Sequence, residues 1–156
     1  MAEQLKLASE MVTSCSFRLG AGEHETAVKG IRAICQYYGG QMIFLPKFKK
    51  DNSETAEQIR GVLADAVGDP AAETMLDVLM SQFGGVPLYI PQESRAFRDE
   101  MAKEIKERYD GTQETMRDLC RDYKISFAQV YRLWHRAEQI EREEREKNEP
   151  TLFDDI

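Results

Sequence analysis

The chain has 156 residues, of which 42% are hydrophobic and 31% charged, and its net charge is −7. That length supports one or two small domains with a real core. The lack of any apolar run of about 18 residues excludes a membrane-spanning helix. An acidic balance argues against a protein that coats nucleic acid without regard to sequence. The charge is uneven, however. Residues 1–94 carry eight basic and twelve acidic side chains, residues 95–136 ten and eight, and residues 137–156 three and eight. The opening MAEQLKLASEM lacks the basic-then-apolar order of a secretory signal. Cys15, Cys35 and Cys120 are far apart with no CxxC, and read as reduced thiols of a cytoplasmic protein.

Taken in order, Leu5, Ala8, Met11, Val12, Cys15 and Leu19 recur by threes and fours and predict a helix over 3–19, stopped by Gly20 and Gly22. A second helix is predicted over 24–38, with Ala27, Val28, Ile31, Ile34, Cys35 and Tyr38 on one stripe. Gly39-Gly40 ends it, and QMIFL (41–45) reads as a short β segment closed by Pro46. A basic turn, KFKKDNSE (47–54), leads to a helix to about Ala66, capped by Ser53 or Asp51 and broken at GDP (68–70). A further helix, 71–83, turns Ala72, Met75, Leu76, Leu79, Met80 and Phe83 inward, before Gly84-Gly85, VPLYI (86–90) and Pro91.

Here the chain repeats itself. IRAICQYYGGQMIFLPK (31–47) and LDVLMSQFGGVPLYIPQ (76–92) align without a gap at an offset of 45, which predicts a duplicated helix–strand unit. Paired glycines let each helix stop in a left-handed turn without Cβ strain. A lone short strand must find another, so the two segments pair within this chain, with a second subunit, or both.

A helix over about 94–109 follows, with Phe97, Met101, Ile105 and Tyr109 at i, i+4, i+8 and i+12. Asp110-Gly111 turns the chain, and Thr112 caps the next helix. TQETMRDLCRDYKISFAQVYRLWHR (112–136) reads as two short helices joined by a tight turn. Leu119, Cys120 and Tyr123 line one face of the first, Ile125 sits in the turn, and Ser126 caps the second. Val130, Leu133 and Trp134 form its inward stripe. Phe127, Ala128, Gln129, Tyr131, Arg132, His135 and Arg136 are left facing mostly away. Such a face suits a major groove: Gln pairs with adenine, Arg with guanine, and apolar groups touch a thymine methyl. Phe127 could instead tuck under the first helix. Arg117, Arg121 and Lys124 are candidate phosphate contacts, although i,i+4 pairing competes for the arginines, and Ser126 is counted with the DNA-binding residues. The second helix should run on into the charged stretch AEQIEREEREKNE until Pro150, leaving TLFDDI (151–156) as an acidic tail.

The sequence has no GxxxxGK[ST], GxGxxG, HExxH or GxSxG and only two histidines, His24 and His135, so no enzyme, cofactor or metal site is expected. GGVPLYIPQESRAFRDEMAKEIKERYDGTQETMRDLCRDYKISFAQVYRLWHR (84–136) resembles the Mor (middle operon regulator) transcription activator family of bacteriophages and prophages. Gly84-Gly85, Tyr89-Ile90-Pro91, Arg98-Asp99, Ile105, Tyr109, Gly111, Leu119, Tyr123, Ser126, Val130 and Tyr131 carry the resemblance. It implies a homodimer with an intertwined N-terminal region, two C-terminal helix-turn-helix units, and activation of phage promoters by recruiting host RNA polymerase. It also implies that Tyr89, on a ribbon near the dyad, approaches the minor groove. Pro87 stands where the family has a polar strand residue, and Lys124 where helix-turn-helix turns often have glycine.

The expectation is therefore a mostly α protein. An N-terminal dimerisation region (1–92) would hold the duplicated unit, followed by a helix-turn-helix domain (93–147) and a flexible acidic tail (148–156). It would bind double-stranded DNA at a dyad-symmetric promoter site. The alternatives are an assembly module with a vestigial helix-turn-helix, or a repressor or DNA-bending protein.

Overall fold

The computed structural model describes residues 2–48 and 53–149; Asp51 as a cap, residues 49–52 of the basic turn, the side chain of Leu5 and the tail 150–156 lie outside the described residues. Among the described residues the chain forms eight helices and one two-stranded ribbon. They divide into two units between Ala96 and Phe97.

The N-terminal unit contains α1 (Ala2–Leu19), α2 (His24–Tyr38), β1 (Met42–Phe44), α3 (Glu54–Val67), α4 (Asp69–Phe83), β2 (Pro87–Tyr89) and the single turn α5 (Glu93–Ala96). Each long helix buries the stripe that its spacing lays down. Ala8, Met11, Val12 and Cys15 are buried from α1, and Ala27, Ile31, Ile34, Cys35 and Tyr38 from α2. Ala56, Ile59 and Leu63 are buried from α3, and Ala72, Met75, Leu76, Val78, Leu79 and Met80 from α4. Leu19, Val28 and Phe83, placed inward by spacing, are only half-buried at the stripe margins. Burial pushes the thiols of Cys15 and Cys35 up to about 12, so both are held neutral. Ser53 caps α3, its hydroxyl accepting from the Ala56 N–H at 3.2 Å.

The ribbon closes within the chain. β1 and β2 run antiparallel with Met42 opposite Tyr89, Ile43 opposite Leu88 and Phe44 opposite Pro87. Side chains alternate across it. Leu88 is buried and Ile43 half-buried, while Met42, Phe44, Pro87 and Tyr89 are exposed. Each helix that feeds a strand ends on two glycines. Gly40 and Gly85, at φ 82° and 87°, sit where an L side chain would be strained. Gly39 and Gly84 have no room for a Cβ. On Gly84 it would stand 2.7 Å from the Pro46 carbonyl oxygen, and on Gly39 2.9 Å from Cα of Gln92.

One charge is buried here. Glu93 of α5 is 8% exposed, and its Oε1 accepts from Arg32 Nε at 3.0 Å, Arg32 Nη2 at 2.8 Å and Gln36 Nε2 at 3.0 Å. This ties α5 to α2. Removing one partner of a buried, hydrogen-bonded pair costs far more than the pair contributes net. Glu93→Ala should therefore lower unfolding free energy by about 3 kcal/mol in urea titration. A loss below about 1 kcal/mol, the scale of an exposed pair, would show that the tie is dispensable.

The C-terminal unit contains α6 (Arg98–Arg108), α7 (Gln113–Tyr123) and α8 (Phe127–Asn148). The single helix expected over 94–109 is split at Phe97, whose backbone is at φ −123°, ψ 39°. No glycine or proline marks the break; Phe97 is buried there, and tertiary burial overrides local propensity. Met101, Ala102, Ile105, Met116, Leu119, Val130, Leu133 and Ala137 form the core, with Tyr109, Cys120, Tyr123, Ile125 and Trp134 packed against it. Trp134, expected inward, is half-buried, with Lys106 Nζ 5.6 Å from its ring centre. Salt bridges from Lys103 to Glu144 and from Lys106 to Glu141 join α6 to the far half of α8.

Candidate nucleic-acid interface

The junction before α8 is built from local chemistry. The Asp110 carboxylate accepts from the Thr112 N–H at 2.9 Å and hydroxyl at 2.6 Å. These Thr112 bonds, helped by Thr115, hold the Asp110 carboxyl down at about 2. Thr112 in turn caps α7, accepting from the Thr115 N–H at 3.2 Å. α7 ends at Lys124, the one non-glycine with positive φ among the described residues (φ 56°, ψ 47°). The Ile125 N–H returns to the Cys120 carbonyl at 3.2 Å. Ser126 then opens α8 with a reciprocal capping box. Its hydroxyl accepts from the Gln129 N–H at 3.2 Å, and its own N–H donates to Gln129 Oε1 at 3.0 Å. Ile125 before the cap and Val130 beyond it join the same apolar cluster, which fixes the entry angle of α8.

With Val130, Leu133, Ala137 and Ile140 turned inward, α8 presents Phe127, Ala128, Tyr131, Arg132 and His135 outward. Phe127 is 56% exposed and Tyr131 50%, so Phe127 does not tuck under α7. Tyr131 is not loose: its ring meets Tyr109 edge-on, with centres 6.2 Å apart. His135 Nδ1 lies 3.9 Å from Glu138 Oε2. Lys124 is exposed at the head of this face.

Two expected members of the outward face are placed otherwise. Arg136 turns back to α6, its Nε 3.0 Å and Nη2 3.4 Å from the two oxygens of Asp99. It stands beside the inward Ala137, which explains the turn. Gln129 is half-buried and occupied by the capping box, as is the hydroxyl of Ser126. The Ser126-x-x-Gln129 spacing is itself a capping-box signature, so this was available from sequence. The Arg136–Asp99 pair spans 37 residues and had no local signal.

The basic side chains sort in the same way. Arg121 pairs with Asp118 at 3.0 Å and lies 3.6 Å from Asp122. Asp122 also takes Arg108 at 2.7 Å. Arg117, Lys124 and Arg132 are exposed and make no ion pair among the described residues. On α7's other side, burial and a 2.7 Å hydrogen bond to Glu104 push the Tyr123 phenol up to about 12, so it stays a donor. Tyr89 is 37% exposed on the ribbon of the N-terminal unit, opposite Met42. No cluster of His, Cys, Asp or Glu suited to a metal occurs among the described residues, and none of the described helices is long and apolar enough to cross a membrane.

The C-terminal unit is thus a helical scaffold that displays a mixed basic and aromatic face at the start of its last helix. A family model, the Mor transcription activator family, matches residues 50–150, about two thirds of the chain, and the chain belongs to that family. No curated protein and no solved structure matches it.

The left-handed Lys124 gives a test of the junction. A non-glycine residue there costs about 1 kcal/mol that glycine avoids. Lys124→Gly should raise the unfolding free energy by about 0.5–1 kcal/mol, less what glycine costs in the unfolded chain. A fall in stability on thermal or urea unfolding would show that the lysine side chain is itself holding the turn.

Proposed function

We propose that the chain is a sequence-specific, double-stranded-DNA-binding transcription activator of phage or prophage promoters in a bacterial cytoplasm. α7 and α8 serve as a helix-turn-helix whose second helix enters the major groove. The observation that carries this reading is the outward face of α8: aromatic Phe127 and Tyr131, small Ala128 and exposed Arg132, headed by Lys124. Ala128 lets the backbone approach the base edges. Phe127 supplies an apolar surface for a thymine methyl, and Arg132 a fork for guanine O6 and N7. Arg117 and Lys124 contact phosphates and set the register. Gln129, Ser126 and Arg136 support the reading helix from within the protein, with Arg121 shared between its carboxylate neighbours and the DNA.

Membership of an activator family supports activation over repression. Recruitment of host RNA polymerase is the route we propose, through the charged far half of α8. The exposed ribbon face bearing Tyr89 is a second candidate DNA contact, in the minor groove. The resemblance implies a homodimer on a dyad-symmetric operator; the closure of β1 on β2 within one chain favours a different stoichiometry, argued below.

Fluorescence anisotropy on a duplex selected from a random pool tests the assignment. Arg132→Ala should weaken the selected duplex by about 5- to 150-fold, the scale of a lost bidentate base contact, and leave random duplex nearly unchanged. Lys124→Ala should weaken both alike and reduce the slope of log affinity against log salt by about 1. Equal losses on both duplexes for Arg132→Ala would contradict base reading. In run-off transcription with bacterial polymerase, increased transcript supports activation and decreased transcript supports repression.

A further inference from the structure

The contacts of the N-terminal unit come in pairs that exchange under an approximate twofold axis through the centre of the ribbon. At the offset of 45 residues, Ile43 is equivalent to Leu88, and these two are the central pair of the ribbon. The flanking pairs, Met42 with Tyr89 and Phe44 with Pro87, exchange under the same operation. The hydrogen bonds beyond them come in equivalent copies. The Gly40 N–H donates to the Ile90 carbonyl at 2.8 Å, and the Gly85 N–H to the Leu45 carbonyl at 2.8 Å. Gly39 abuts Pro91 and Gln92; Gly84 abuts Pro46 and Lys47. A Cβ on Gly30 would stand 2.5 Å from Cε of Met75, its own equivalent, so the axis also passes between α2 and α4.

The relation reaches the first helices when the connection is allowed to differ by three residues. Buried Ala8, Met11 and Cys15 match buried Ala56, Ile59 and Leu63 at an offset of 48. The difference lies in the turns, residues 20–23 in one repeat and Gly68 alone in the other. α1 packs on its own α2 and on α4, and α3 on its own α4 and on α2. The repeats are therefore interlocked, as two subunits sharing an isologous interface would be.

The family match begins at residue 50 and takes in only the second repeat. The matched part alone would hold β2 with nothing to pair it, and a three-residue strand is not stable by itself. A second copy turned about an axis through Leu88 would complete the ribbon. In this chain the first repeat already does so.

We propose that residues 2–96 are a two-subunit core fused into one polypeptide. The first repeat occupies the seat a second copy would take. The chain then carries one α8 per closed core, works as a monomer and reads a single asymmetric DNA site. The stoichiometry on DNA rests on the function proposed above; that of the free chain does not.

Sedimentation of the intact chain from nanomolar to submillimolar concentration should give one species of 17.9 kDa. A species of twice that mass overturns the proposal. The variant Met42→Cys/Tyr89→Cys, oxidised and run without reductant, should bridge within one chain, because the two residues face each other across the ribbon. A chain-to-chain bridge, or no bridge, overturns it equally. On the selected duplex, native mass spectrometry should count one chain, and two chains would overturn the monomeric mode. If no duplex is selected, the DNA reading fails, while sedimentation and cross-linking still decide the fused core.

Discussion

The direction of α8 is set where the chain turns at Lys124, Ile125 and Ser126 and is held by the apolar cluster packed beneath that turn, and the face that α8 turns outward depends on it. The backbone strain at Lys124 costs about 1 kcal/mol. A serine cap contributes about as much in the other direction. What decides the geometry is burial: each large apolar side chain removed from water contributes about 1.5–3 kcal/mol. Leu119, Val130 and Leu133, with Ile125 packed beside them, meet that description. The packing therefore outweighs the strain and sets which side of α8 faces water. A rotation of one residue, about 100°, would carry Arg132 towards the core side and spoil the face.

The same economy explains the disposition of charge. The C-terminal unit pairs three of its arginines with carboxylates: Arg108 of α6 with Asp122 of α7, Arg136 of α8 with Asp99 of α6, and Arg121 with Asp118 and Asp122 of its own helix α7. Exposed pairs of this kind add little stability, but they cancel charge where it is not used. Arg117, Lys124 and Arg132 keep theirs among the described residues. A chain of net charge −7 can then offer a locally positive edge without general affinity for nucleic acid.

Much of this was legible from sequence because it is local. The stripes of α2 and α4, the Gly-Gly stops, the Thr112 and Ser126 caps and the inward Val130 and Leu133 all follow from spacing within one or two turns. The proposed repeat is legible in sequence over 31–47 and 76–92, but its first helices are not, because Ala8 and Ala56 alone share a residue type among the three matched pairs and the connection shifts the register by three. The ribbon partner, the Arg136–Asp99 bridge and the break at Phe97 depend on residues far away in sequence, and no periodicity encodes them. Gln129 was a different case. Its cap spacing is local, but the amide that closes the capping box is the same group that could pair with adenine, and spacing alone does not say which partner it takes.

The outward face of α8 is proposed to meet base edges in the major groove. Dimethyl sulfate interference on the duplex selected by the intact chain tests it most directly, since it methylates guanine N7 in the major groove and adenine N3 in the minor groove. Methylation of at least one guanine N7 within the selected site should abolish binding. Binding that tolerates methylation at every guanine N7 would contradict the proposed contact.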